Sequence, residues 1–376
     1  MKNELFLFGH PCFLSGGAKA GTSRVSYDRA TSYVGDSDRT VVTPDLRAGE
    51  AMATPKRLCE AAGQTLFHGI GSYHGRQGSA NRFAVDDGWP TIGAEIETVA
   101  RECPRDDMYK ALVSNWFWFE RDGSLPEGTG HECVTAPLSR RHWGSPELWL
   151  GLQNALSPWL YSWDCTKTGL HVHVGLDRFG NIEPDLPVPL DGEDRRTLGA
   201  LASAYVYMKA PQALVNRVFQ RRRGDYCDAS ALKAYGGPLA AVFTSPDTTG
   251  VCARLVEAAA AMSDYTMRNL MAGLADTGFS DTVRHSNLGT HGCEINFAHP
   301  YTVEFRRGKG TLNGLSIHRM VEFCACCVKF AEYIVADHSF QPTVPGFLEF
   351  VEGNTSSAVL AADAREFLGK ESTECA

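Results

Sequence analysis

Two histidines, His171 and His173, stand two positions apart in the apolar stretch TGLHVHVG (168–175). A strand alternates its faces, so both imidazoles would point one way and Leu170, Val172 and Val174 the other. The same division recurs along the chain. In GAEIE, Glu95 and Glu97 share a face while Ala94 and Ile96 take the other. In TVEFR, Glu304 and Arg306 are set apart from Val303 and Phe305. In HECV, Glu132 stands beside Cys133. Packed dry, each unpaired charge of this kind would cost on the order of several kcal/mol. Facing bulk water, Lys and Thr would serve as well. A concave face of Glu and His instead supplies hard oxygen donors and imidazole, a set that suits a divalent cation, with imidazole tolerated especially by manganese. An arginine beside it suits an anion such as a phosphate.

Each piece alone has an ordinary explanation. A Glu-x-Glu pair is usually a solvated strand face, and Glu304 with Arg306 would be a surface ion pair worth at most about 1 kcal/mol. The case for a site rests on separate strands showing the same division.

The elements that must position these residues are legible from periodicity. TIGAEIETVA (91–100) alternates as a strand, VSNWFWFE (113–120) is aromatic and β-prone, and RDGS (121–124) follows as a turn. HECVTAPL (131–138) reads as a short strand closed by Pro137. A helix is expected from Ser145-Pro146 through PELWLGLQNALSPWLY. Helices are expected over 191–220, interrupted at Pro211, and over 250–275. GCEINFAHPYTVEFRRGKGTLNG returns to strand and turn, with Arg307 and Lys309 read as a solvated turn or a contact to an anionic substrate. A long amphipathic helix is expected from about Ser316 to Val335. Short strands separated by helices of uneven length predict an α+β fold, with a mixed or antiparallel sheet and helices on one side. Neither Gly-x-Gly-x-x-Gly nor a P-loop occurs.

The bulk numbers set bounds. The chain has 376 residues and 43% hydrophobic content, enough for a normal core. A net charge of −8 gives no electrostatic case for nucleic acid. No run approaches the ~18 apolar residues of a membrane span. The start MKNELFLFGHPCFL lacks the long apolar core of a secretory signal, so a cytoplasmic protein is expected. The 12 cysteines form no regular framework. Cys324, Cys326 and Cys327 lie in a helical segment, where buried thiols are expected rather than a zinc knuckle. Residues 1–88, rich in turn formers, read as an irregular extension with a short helix near 54–63.

GAEIE (93–97), DGSL (122–125), HECVTAPL (131–138), GLHVHVG (169–175) and TVEFRRGKGTLN (302–313) resemble, in that order, the motifs of the amidoligase family. That family belongs to the carboxylate–amine ligases of glutamine synthetase-like catalytic fold. The resemblance covers roughly residues 89–336. It implies a curved, mostly antiparallel sheet with helices on one face, a catalytic domain over 89–340 and a partly helical tail over 341–376. It also implies an ATP-dependent ligase with two or more Mg2+ or Mn2+ ions, joining a small-molecule or peptide carboxylate to an amine through an acyl phosphate. By motif position, Glu95, Glu97, Glu132 and Glu304 resemble metal ligands, with one of His171 and His173 a further ligand or phosphate contact. Arg306 resembles the group that stabilises the transferring phosphoryl. RRRGDYC (221–227) and RHSNL (284–288) resemble weaker segments, making Arg222, Arg223, Arg284 and Asn287 candidate phosphate or substrate contacts. Lys309, in the Gly-Lys-Gly turn, is a looser one. Two alternatives stay open: a metal-dependent hydrolase, since His-x-His with carboxylates also builds zinc sites, and an inactive ligase fold kept as a binding module. An oligomer is compatible with the sequence.

Overall fold

The computed structural model describes residues 87–100, 117–120, 124–126, 129–162, 168–184, 186, 190, 192–220, 238–261, 294–296 and 301–374. The expected N-terminal extension and its helix, most of the RDGS turn and residues 262–275 of the second long helix lie outside them. The chain divides into two compact units. The first spans Gly93–Leu170 and Lys309–His318; the second spans Gly88–Ile92, His171–Gly308 and Arg319 onward. The architecture is α+β, with antiparallel strand pairing.

In the first unit, β1 (Ile92–Ala100), β2 (Phe117–Glu120) and β3 (Gly130–Thr135) lie in the order β2-β3-β1. Both pairings are antiparallel. The alternation expected of GAEIE holds: Ala94 and Ile96 are buried with Phe117, Phe119 and Cys133. Thr135 Oγ1 accepts from Ala94 N at 2.8 Å. A single helical turn at Arg140–Trp143 leads into α1 (Pro146–Leu156), which starts on the expected proline. α1 is shorter than the sequence suggested. Pro158 has no N–H to give, and its ring would clash with the carbonyl four residues back. The chain leaves the helix at Ser157, and Leu160–Tyr161 become β4, antiparallel to the end of β1. Gly314 lies so close to the α1 backbone at Trp149 that a Cβ would collide with it, and its N–H donates to Gln153 Oε1 at 2.8 Å.

The histidine strand β5 (Gly169–Gly175) starts in the first unit and continues into the second. There it is followed by a 3-10 turn at Asp177–Asn181, α2 (Gly192–Lys209), α3 (Gln212–Phe219), α4 (Pro238–Thr244) and α5 (Val251–Ala261). Pro211 separates α2 from α3 as expected, and α3 ends at Gln220 in the left-handed region, φ 54°. Strands β6 (Ile295–Asn296) and β7 (Thr302–Lys309) pair antiparallel, and the order is β5-β7-β6. Helices α6 (Gly314–Ala336), α7 (Val344–Asn354) and α8 (Ala358–Glu374) complete the chain.

The helices pack on one face of β7. Phe305 lies 5.5 Å, ring to ring, from Tyr207 of α2. Tyr207, Phe219, Phe323 and Phe347 continue as a chain of edge-on aromatic contacts. The helix expected to be amphipathic is buried on nearly every side, with Leu315 and Tyr333 among its few exposed positions. Its buried Glu322 is satisfied by Thr355 Oγ1 at 3.0 Å and by the N–H and hydroxyl of Ser356 at the α7–α8 junction. A polar residue on the inner face is thus matched by hydroxyls of the link between the covering helices, a partnership that periodicity alone does not reveal. Cys324, Cys326 and Cys327 are fully buried there, and burial pushes the Cys324 and Cys327 thiols well above their ordinary range. Among the described residues, no helix is long and apolar enough to cross a membrane.

Candidate functional site

The sequence-derived residues fall into two groups, one in each unit. In the first, Glu97 of β1 stands directly opposite Glu132 of β3. Both are buried, at 6% and 5% exposure. Glu95 lies two residues from Glu97, on the same strand face. Glu95 and Glu132 each offer a carboxylate oxygen, and these oxygens lie within 4.8 Å of one another. Glu97 and Glu132 are like charges opposite one another on the sheet, an arrangement that is destabilising and a favourable place for a cation. Glu97 also braces the fold: its Oε2 accepts from Gly169 N at the start of the histidine strand, and its own carbonyl accepts from Ser162 Oγ at 2.6 Å. The neighbouring Cys133 does not join as a thiolate, because burial and the Glu132 charge push its pKa well up.

In the second unit the centre is Glu304, 1% exposed. Its Oε1 lies 3.5 Å from His171 Nδ1 and 3.8 Å from His173 Nε2, and it pairs with Arg306 Nη1. Its Oε2 accepts from Asn296 Nδ2 at 2.9 Å. Both imidazoles of the HVH stretch thus converge on one carboxylate oxygen, while Val172 and Val174 are fully buried. Strand alternation explains this arrangement. Glu304 and Arg306 occupy one face of β7, and Val303 and Phe305, both fully buried, occupy the other. Asn296 was missed in the sequence. Its signal is faint: Glu294-Ile295-Asn296 repeats the polar–apolar–polar order of the other strands, over only three residues.

Arg307 corrects an expectation. Expected as a solvated turn or a substrate contact, it belongs to β7 and has no exposed surface. It lies 3.6 Å from Glu294 Oε2 and donates to Asn216 Oδ1, and Tyr207 OH donates to Glu294 at 2.9 Å. The odd position on the strand puts Arg307 on the helix side, where only a buried partner makes its charge tolerable. Lys309, at the end of β7, is exposed. Arg222, Arg223, Arg284 and Asn287 lie outside the described residues.

The donor chemistry in both groups fits a divalent cation. Carboxylate oxygens dominate and imidazole nitrogen supplements them, on strands whose backbones are fixed by pairing. No family model matches the chain, and no curated protein matches it.

Proposed function

We propose that the protein is an ATP-dependent amidoligase with a glutamine synthetase-like catalytic fold. One observation carries the reading. A nearly inaccessible glutamate, Glu304, is held among two imidazoles, a guanidinium and a carboxamide on one strand face. That composition serves charge neutralisation and orientation, which is most of what phosphoryl transfer asks of a protein. The ordered sequence motifs add support, since the same residues occupy their ligand positions.

In this reading Glu95, Glu97 and Glu132 of the first unit are ligands of Mg2+ or Mn2+, and so, in the second, are Glu304 and one of the histidines. The bound ions would supply charge neutralisation to the nucleotide phosphates. Arg306 stabilises the charge of the γ-phosphoryl group as it passes to a substrate carboxylate oxygen. ADP leaves, and an acyl phosphate remains on the substrate. An amine nitrogen then attacks the acyl carbon, the C–O bond to phosphate breaks, and inorganic phosphate and a proton are released with the amide. The substrates are a small-molecule or peptide carboxylate and an amine, and the setting is the cytoplasm. Lys309, exposed at the end of β7, is in this reading a looser contact to an anionic substrate.

The test is ATP turnover by the purified protein with Mg2+, Mn2+ or Zn2+, with and without a pool of amino acids and polyamines. The reading expects ADP release with Mg2+ or Mn2+ that rises when a carboxylate and an amine are both present. Product formed without ATP, with zinc preferred, would support the hydrolase instead.

A further inference from the structure

We propose that Arg306 is a resident counter-ion of Glu304. It occupies the carboxylate in the metal-free protein and yields Oε1 when a divalent cation binds. The exchange is read from the Glu304 surroundings; only the use made of the freed guanidinium rests on the ligase reading.

The two oxygens of Glu304 have different duties. Oε2 accepts from Asn296 and fixes the orientation of the carboxylate. Oε1 is the atom that both His171 and His173 approach, at 3.5 and 3.8 Å. His173 and Glu304 each offer a ligand atom within 4.8 Å of the other. Oε1, the oxygen that both imidazoles approach, is the natural ligand atom for a cation shared by that histidine and that glutamate. Arg306 Nη1 already sits on it. A guanidinium and a divalent cation on one oxygen repel each other strongly, so the second lone pair of Oε1 does not make room for both. Arg306 is two residues along the same strand, on the same face, and its long stem lets the head group leave without moving β7. Asn296 keeps Glu304 in place while its partner changes.

Two consequences follow. Without metal, the buried carboxylate is never left uncompensated, a state that would be strongly destabilising. With Arg306 in place, part of the population is closed to metal, and the apparent affinity falls by the open fraction. The arginine displaced from Glu304 then stands beside the same site as a cation for the phosphoryl group.

The experiment is a Mn2+ titration of the full chain without nucleotide, read as free Mn2+ by electron paramagnetic resonance. Wild type, Arg306→Met, Arg306→Lys and Glu304→Gln are compared, with circular dichroism to confirm folding. Arg306→Met is expected to bind Mn2+ about tenfold more tightly than wild type, as for an open fraction near ~10%. Arg306→Lys should fall between the two, and Glu304→Gln should bind more weakly than wild type. If Arg306→Met does not fold, Arg306→Gln is held to the same expectation. Equal or weaker Mn2+ binding by the neutral variant would overturn the exchange, even in a protein that turns over ATP. Tighter binding by that variant in a protein that never consumes ATP would uphold the exchange and remove the ligase reading. No Mn2+ binding by any variant would overturn both.

Discussion

Arg307 and Glu294 face each other at 3.6 Å in an interior where neither side chain has more than 2% of its surface exposed. Tyr207 and Asn216 complete the arrangement. Removing one member of a buried ion pair leaves the other uncompensated. Arg307→Met is expected to lower stability by about 3–5 kcal/mol in urea unfolding. Adding Glu294→Gln should recover part of that loss. A single substitution costing less than about 1 kcal/mol would mean that the pair carries little of the structure.

Glu304 and Arg306 are expected to be indispensable to turnover. Glu304→Ala and Arg306→Ala should each reduce ATP consumption by about a thousandfold or more, while far-ultraviolet circular dichroism stays native. Wild-type consumption in both variants would place the chemistry elsewhere.

The cysteines of α6 should be chemically silent in the native protein. Cys324 and Cys327 are fully buried, with thiols pushed up by burial. Thiolate is the reactive form, so alkylation should be slow. Iodoacetamide followed by peptide mass spectrometry should find both unmodified under native conditions and both modified in denaturant. Rapid native labelling would contradict the burial.

The strand faces were legible in the sequence because period-two alternation is local: the histidines, Glu95 with Glu97, and Glu304 with Arg306 could be paired by counting. The start of α1 was legible from Ser145-Pro146, and its end was misplaced because Pro158 acts on a carbonyl four residues earlier. Arg307 was misread for a different reason. A charged residue beside Gly308 looks like a turn until Glu294, Tyr207 and Asn216, which are far away in sequence, are seen to meet it. The same holds for Glu322, whose partners lie on the α7–α8 junction. Periodicity assigns faces, and only packing assigns partners.

Acid sensitivity has a local contributor at the surface. Arg217, followed by Lys370, holds the Glu366 carboxyl at about 2, below its ordinary 4.5. A carboxylate with a depressed folded pKa stabilises above its unfolded pKa and loses that contribution as pH falls toward the folded value. The window is therefore between roughly pH 4.5 and 2, and the effect is small because the pair is exposed. In scanning calorimetry, Glu366→Gln should lose less Tm than wild type across that window. Parallel profiles would contradict the assignment.

The central claim is that a substrate carboxylate takes the phosphoryl group of ATP. Carboxylates labelled with oxygen-18 can be supplied as a pool with ATP, Mn2+ and amines, and the released phosphate analysed by mass spectrometry. The account predicts phosphate carrying one labelled oxygen, because the bond that breaks on amide formation lies between the acyl carbon and that oxygen. Unlabelled phosphate accompanying ADP would mean that water, not a carboxylate, receives the phosphoryl group, and the ligase account would fall.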